Sequence, residues 1–143
     1  MSSMSEQVRL LRDIRLALQS GDDTRAIELL KELVTIAEES GDVSAQARHL
    51  GNLALTYYRT GQPNLALAHF EQALHAARSV DDKFTENGLL GNMGNILREI
   101  GQHGQAIRYL NRALLIAQEL GDTRGRGIWL SNLALVYDDM RQP

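Results

Sequence analysis

Apolar residues recur at helical spacing in seven stretches of the chain, with short polar or glycine-containing turns between them. In one stretch Leu50, Leu53 and Tyr57 stand at positions i, i+3 and i+7, on a single face of a helix. Gly61 ends that stretch, and Pro63 is suited to begin the next helix. The same reasoning predicts helices at about 5–19, 24–40, 44–60, 64–80, 84–100, 104–120 and 124–140.

The pattern repeats every 40 residues. Residues 47–86 and 87–126 share 10 identities in 40 positions, and a leucine recurs in all four copies, at Leu10, Leu50, Leu90 and Leu130. A pair of helices cannot bury its own apolar face, so neighbouring pairs are expected to stack. The repeat therefore predicts an all-α protein, an α-solenoid of antiparallel helix pairs with about 3.5 repeats. We expect one domain, 1–143, divided into repeats 7–46, 47–86 and 87–126 and a half-repeat 127–143.

Small residues mark the expected contact between the two helices of each repeat. Ala54, Gly94 and Ala134 occupy equivalent positions on the first helices, and Ala66 and Ala106 should face them from the second helices. Without bulky side chains at these positions, the helix axes can approach closely.

The second repeat resembles the tetratricopeptide (TPR) repeat, whose pattern is Trp-x2-Leu-Gly-x2-Tyr followed by Ala-x3-Phe. It reads Leu50-x2-Leu53-Ala54-x2-Tyr57, then Gly61, then Ala66-x3-Phe70. The 40-residue period is similar to a longer variant found in the Leu-Gly-Asn-repeat polarity adaptors and in bacterial regulators. The resemblance implies a right-handed solenoid, a scaffold that binds protein partners on the concave face of the array. The first repeat departs from the pattern, with Arg12 where the others have Asn.

Asparagines repeat on the helix side opposite the apolar stripe. Asn52 lies about 200° around the helix from Leu50, and Asn92 and Asn132 occupy the same position in later repeats. The resemblance places this side on the concave, peptide-binding face, where these amides would hold a peptide backbone and Asn95 would add a polar contact. The adjacent glycines, Gly51 and Gly91, would let that backbone approach. The alternative is that each Asn bonds a neighbouring helix and each Gly relieves crowding.

Arginine supplies thirteen of the fifteen cationic residues. Arg48, Arg59 and Arg98 lie on or beside the proposed face, where a guanidinium could bind carboxylates of a partner. The alternative is a solvated side chain or a local ion pair. Glu99, Asp138 and Asp139 make the other end of the proposed face acidic, so we expect a ligand of mixed charge or amphipathic character.

The last predicted helix has an apolar face without the second helix that would cover part of it. We therefore expect self-association through residues 124–140, as a homo-oligomer. The residues assigned to that contact are Trp129, Leu130, Leu133, Tyr137 and Met140.

Composition and charge argue against several classes of function. The chain has no cysteine and a net charge of −3, which argues against disulfide frameworks and against a nucleic-acid partner. Arg124–Gly127 resembles an RNA-binding tract only over four residues. No apolar run is long enough for a membrane span, and the N-terminus lacks a secretory pattern, so we expect a cytoplasmic protein. The four histidines lack metal-ligand spacing. We expect no metal, cofactor or catalysis.

The resulting hypothesis is a non-catalytic module that binds a peptide or helix of a partner protein. The alternative is an architectural module that self-associates or joins the domains of a larger regulator.

Overall fold

The computed structural model describes residues 4–141, which form seven helices and no strand. Every helix boundary lies within one residue of its predicted position. Residues 1–3, part of the N-terminal segment considered above, and the last two residues of the half-repeat lie outside the described range. The helices are α1 (Met4–Gln19), α2 (Asp23–Ser40), α3 (Val43–Arg59), α4 (Pro63–Ser79), α5 (Lys83–Glu99), α6 (His103–Leu120) and α7 (Thr123–Arg141).

Capping residues explain where the helices begin and end. The side chains of Asp22, Asp42 and Asp82 each accept a backbone N–H three residues later, at 3.1 Å. Gly41 ends α2 in the left-handed conformation, with φ of 74°, which glycine adopts without steric cost. Asp81 takes the equivalent place in the turn after α4, with φ of 55°.

The chain divides into two compact units, Met1–Val80 (unit 1) and Asp81–Pro143 (unit 2). In unit 1, α1 packs on α2, α2 on α3, and α3 on α4. The predicted apolar stripes form its core. Its buried members are Leu10, Ile14, Leu29, Leu30, Leu33, Leu53, Tyr57 and Ala66.

Unit 2 contains α5, α6 and α7, with α6 packed against both other helices and α5 in contact with α7. Gly94 confirms the predicted close contact between first and second helices, because a Cβ atom there would lie only 2.6 Å from Leu110 Cγ. Ala106 is fully buried on the facing helix. Ala134, the equivalent position on α7, is exposed. None of the helices within residues 4–141 combines the length and apolar character that a membrane span needs.

Candidate peptide-binding surface

Each unit presents a face opposite its core. The unit-1 face consists of exposed residues of α1 and α3: Val8, Arg12, Arg15, Gln19, Arg48, Asn52, Leu55 and Arg59. The unit-2 face consists of exposed or half-buried residues of α5 and α7: Gly88, Asn92, Asn95, Glu99, Ile128, Asn132, Leu135 and Asp139. Both faces follow from the helical period, since their members lie away from the apolar stripes.

The three repeated asparagines keep their side chains accessible. Asn52 is exposed, and Asn92 and Asn132 are half-buried. Within residues 4–141 none of the three side-chain amides makes a hydrogen bond, so no amide bridges to a neighbouring helix. Besides its place in the backbone hydrogen bonds of the helix, the carbonyl oxygen of Asn52 accepts a hydrogen bond from the Thr56 hydroxyl at 2.9 Å. The amide donors and acceptors therefore remain available to a ligand.

Arg98 is held between α5 and α7. One of its terminal nitrogens donates to Asp139 Oδ2 at 3.3 Å, and the other donates to Asn95 Oδ1 at 3.1 Å. Its side chain is 18% exposed, and Glu99 adds a carboxylate at 3.7 Å. Its Nε is buried without a partner in residues 4–141. Arg98 therefore acts on the unit-2 face by positioning Asn95 and Asp139, and its charge is already compensated.

Arg59 is also committed to an internal ion pair. Its Nη2 and Nε both donate to Asp23 Oδ1, at 2.7 and 3.2 Å, which joins the end of α3 to the start of α2. Arg48, by contrast, is exposed and makes no ion pair with any other residue in the range 4–141. Of the three arginines proposed from the sequence, Arg48 alone keeps an uncompensated guanidinium.

His49 follows Arg48 on α3 and is half-buried. Burial is the main cause that lowers the pKa of its imidazole, the Arg48 charge lowers the pKa further, and Asp42 opposes the shift. The neutral imidazole is therefore the form that the fold favours.

The space beside Gly91 is filled by the ring of Trp129, so the small residue serves helix packing there. A Cβ at position 91 would overlap the six-membered ring. The indole Nε1 donates to Asn87 Oδ1 at 2.8 Å, and Asn87 Nδ2 donates to Asp122 Oδ2 at 3.4 Å. Gly91 therefore relieves crowding between helices, which is the alternative interpretation of the repeated glycines.

Asn87 and Asp122 were not identified from the sequence, although a signal existed. Position 87 changes from Ala47 in the preceding repeat to a polar residue, and the only tryptophan of the chain follows in α7. A buried indole N–H normally finds an acceptor. Together these facts pointed to a partner for Trp129.

The predicted self-association residues separate into two sets. Trp129 and Leu133 are buried within unit 2 and so are closed to a second chain, and Trp129 packs against Gly91 of α5. Leu130, Tyr137 and Met140 are 47, 49 and 51% exposed. Leu90 and Leu97 on α5, at the positions equivalent to 130 and 137, are 0 and 4% exposed.

Other charged residues show no metal-binding arrangement. Within residues 4–141 no group of three or more histidine, aspartate or glutamate side chains could hold a metal ion. The buried Glu86 carboxylate is paired with Lys83 at 3.5 Å and Arg112 at 3.9 Å.

Comparison with known proteins gives a family match and structural neighbours. A family model of the tetratricopeptide repeat matches residues 15–79 and 85–143. The Tonsoku-like protein of Danio rerio is 30% identical over 95 residues, which are 66% of this chain and 7% of that protein's length.

Two solved structures are similar in fold. Aspartyl phosphate phosphatase F from Bacillus subtilis aligns with a TM-score of 0.75 and 19% identity, over 84% of this chain and 30% of that chain. A P. anserina chain of the kinesin light chain type, with nearly identical TPR-like repeats, aligns with a TM-score of 0.77 and 20% identity, over 96% of this chain and 68% of that chain. These similarities identify the fold as an all-α helical-repeat solenoid.

Proposed function

Because the chain belongs to the tetratricopeptide repeat family, whose fold supports protein–protein interaction or scaffolding and is typically non-catalytic, we propose that it binds a peptide or helical segment of a partner protein. The binding surface would be the unit-1 face, the unit-2 face or both. Asn52 contributes from unit 1, and Asn92, Asn95 and Asn132 contribute from unit 2.

The observation that carries this proposal is the absence of internal partners for the repeated amides within residues 4–141. Asparagine in a helix interior is roughly 0.6 kcal/mol less favourable than alanine. No internal hydrogen bond offsets that difference at Asn52, Asn92 or Asn132. A ligand can do so, since each residue of an extended peptide offers one N–H and one C=O, and a side-chain amide can both donate and accept.

The three arginines Arg48, Arg59 and Arg98 have different roles in this proposal. Arg48 would bind a carboxylate of the partner directly. Arg59 and Arg98 would act as positioning residues, because Asp23 and Asp139 already accept hydrogen bonds from their guanidinium groups.

The proposal is tested by substituting Asn92→Ala together with Asn132→Ala. We expect affinity for a partner captured from the native lysate to fall at least about tenfold, a change of 1.4 kcal/mol. The melting temperature should be unchanged or slightly higher, because no internal hydrogen bond is lost. Calorimetric titration and thermal unfolding monitored by circular dichroism measure the two quantities.

A matched control replaces two asparagines on the second helices of the repeats, Asn64→Ala on α4 and Asn111→Ala on α6, both of which are exposed. This pair should leave the affinity as it is. Unchanged binding by the Asn92/Asn132 variant would exclude the assigned role, and a loss of stability without a binding defect would give the amides a structural role instead.

A second candidate function is self-association through α7. It is favoured by the exposure of Leu130, Tyr137 and Met140, because the positions equivalent to Leu130 and Tyr137 are buried in helix α5. The occupant of this surface would be a second copy of the chain.

A further inference from the structure

Charge is unevenly distributed over the helices of unit 1. The unit-1 face carries four arginines and no carboxylate. The segment 22–42, which contains α2, carries seven acidic and two basic residues. An anionic ligand is therefore attracted to the face formed by α1 and α3 and repelled by α2.

Two of the four arginines are uncompensated. Arg59 is paired with Asp23 at 2.7 Å, and Arg12 lies 3.6 Å from Asp13. Arg15 and Arg48 are exposed and make no ion pair with another residue in the range 4–141. These two guanidinium groups are free to make bidentate contacts with carboxylates.

Each free arginine shares its helix face with an exposed apolar residue. Val8 stands seven residues before Arg15 on α1, and Leu55 stands seven residues after Arg48 on α3. A spacing of seven places both members of each pair on the same side of the helix. The face thus offers cationic and apolar contacts on both helices.

We propose that the unit-1 face recognises an acidic protein segment in which aspartate or glutamate is interspersed with large apolar residues. Arg15 and Arg48 bind its carboxylates, and Val8 and Leu55 contact its apolar side chains. This inference rests on the proposed function and specifies its ligand. The unit-2 face does not share this selectivity, because none of its eight residues is cationic and two of them, Glu99 and Asp139, are acidic.

A protein segment fits this surface better than a nucleic acid. A nucleic acid carries a regular array of phosphates, whose binding requires a continuous row of cations. Here the cations alternate with Val8 and Leu55, and the next helix is strongly acidic. Apolar contacts at these positions favour a ligand that has apolar side chains.

The inference is tested by selecting ligands from a phage-displayed library of random 12-residue peptides. We expect peptides selected by the wild-type chain to be enriched at least about twofold in Asp and Glu over the unselected library, together with Leu or Ile. The best peptide should lose at least about tenfold in affinity with the Arg15→Glu/Arg48→Glu variant, and its binding should weaken as salt is raised. Selection on that variant should favour Lys and Arg.

The control variant Arg25→Glu/Lys31→Glu changes the net charge by the same amount on α2 and should lose much less affinity for the selected peptide than the Arg15→Glu/Arg48→Glu variant does. The milder variant Arg15→Gln/Arg48→Gln should also weaken binding. Circular dichroism establishes that each variant remains helical, and the glutamine variant replaces the glutamate variant if that one unfolds.

The outcomes separate this inference from the proposed function. Selected peptides without acidic enrichment, whose binding depends on Asn92 and Asn132, would overturn the inference and leave the proposed function standing. Failure to enrich any peptide would contradict both. Tight binding of a single-stranded oligonucleotide that is lost in the Arg15/Arg48 variant, without binding of an acidic peptide, would assign the face to nucleic acid.

Discussion

At the scale of single residues, the contact between Gly91 and Trp129 fixes how α7 lies on α5. The indole ring occupies the volume that a side chain at position 91 would need, and its N–H is held by Asn87 at 2.8 Å. The ring is therefore restrained both by shape and by a hydrogen bond. A substitution that displaces the ring therefore disturbs its packing on Gly91 or its hydrogen bond to Asn87.

This contact predicts opposite effects for two glycines of the same helix. Gly91→Ala should lower the free energy of unfolding by about 1–3 kcal/mol, because the new methyl group overlaps the buried ring. Gly88→Ala should raise it by about 0.5–1 kcal/mol, because within residues 4–141 no atom beyond the adjacent backbone of α5 lies within 4 Å of its Cβ position, and alanine favours the helix. Urea denaturation followed by the fluorescence of Trp129 measures both. Equal effects would contradict the assigned packing.

His49 predicts a pH dependence of the stability of unit 1. Its pKa in the folded chain is lowered from 6.5, first by burial and then by Arg48. Below pH 6.5 the unfolded chain therefore binds more protons at this site than the folded chain, and stability falls as the pH falls. The contribution of the neutral imidazole is fully present above the unfolded pKa and is lost as the pH falls through the folded pKa.

We expect His49→Gln to reduce this dependence. Between about pH 7.5 and 5.5, where histidine titrates, the wild-type chain should lose more stability than the variant. Urea denaturation at a series of pH values measures the two slopes. Parallel slopes would show that protonation of His49 does not oppose folding.

At the scale of helices, α3 and α6 differ in how they begin. Asp42 and Gln102 have similar backbone conformations before their helices, with φ and ψ of −86° and 83°, and of −89° and 68°. Asp42 caps its helix through its carboxylate, whereas Gln102 makes no side-chain capping bond. The start of α6 is therefore ready to accept a capping residue.

Gln102→Asp should raise the free energy of unfolding by about 0.5–1 kcal/mol, because aspartate accepts a first-turn N–H and interacts favourably with the helix dipole. The reciprocal change Asp42→Gln should lower it by about 1 kcal/mol. Thermal unfolding of the two variants tests both expectations. A decrease for Gln102→Asp would mean that the first turn of α6 cannot accept the aspartate carboxylate.

The helices could be predicted from the sequence because their signals are local. The apolar period, the turn glycines and the 40-residue repeat located all seven helices within one residue. The partners that Arg59, Arg98 and Trp129 have on other helices could not be predicted in the same way. Each of these contacts joins residues 36 to 42 positions apart. They depend on how each helix is rotated about its own axis relative to its neighbour. The apolar period fixes that rotation only approximately, because the apolar stripe is wide.

At the scale of the whole molecule, the two units present faces of different chemistry. The unit-1 face is basic, whereas the unit-2 face carries amides and two acidic residues. An array that binds peptides through both faces would therefore select different residues at each. The mixed-charge ligand expected from the sequence would suit this difference. Within residues 4–141, Arg15 and Arg48 are the arginines of the unit-1 face that make no ion pair.

The exposed surface of α7 predicts a concentration-dependent mass for the whole chain. Leu130 and Tyr137 stand where α5 carries the buried Leu90 and Leu97, and burying such side chains against a second copy is favourable. We expect the mass measured by light scattering to rise from 15.9 kDa towards twice that value as the concentration increases.

Leu130→Lys combined with Tyr137→Lys should keep the chain monomeric over the same concentrations, because two lysine ammonium groups cannot be buried there without a large desolvation penalty. Phe84→Lys with Leu115→Lys is the matched control, since both residues are exposed in unit 2 and belong to α5 and α6, not to α7. The control should associate as the wild type does. A wild-type chain that stays monomeric throughout, or an α7 variant that still associates, would remove α7 as a self-association surface, and the peptide-binding proposal would be unaffected.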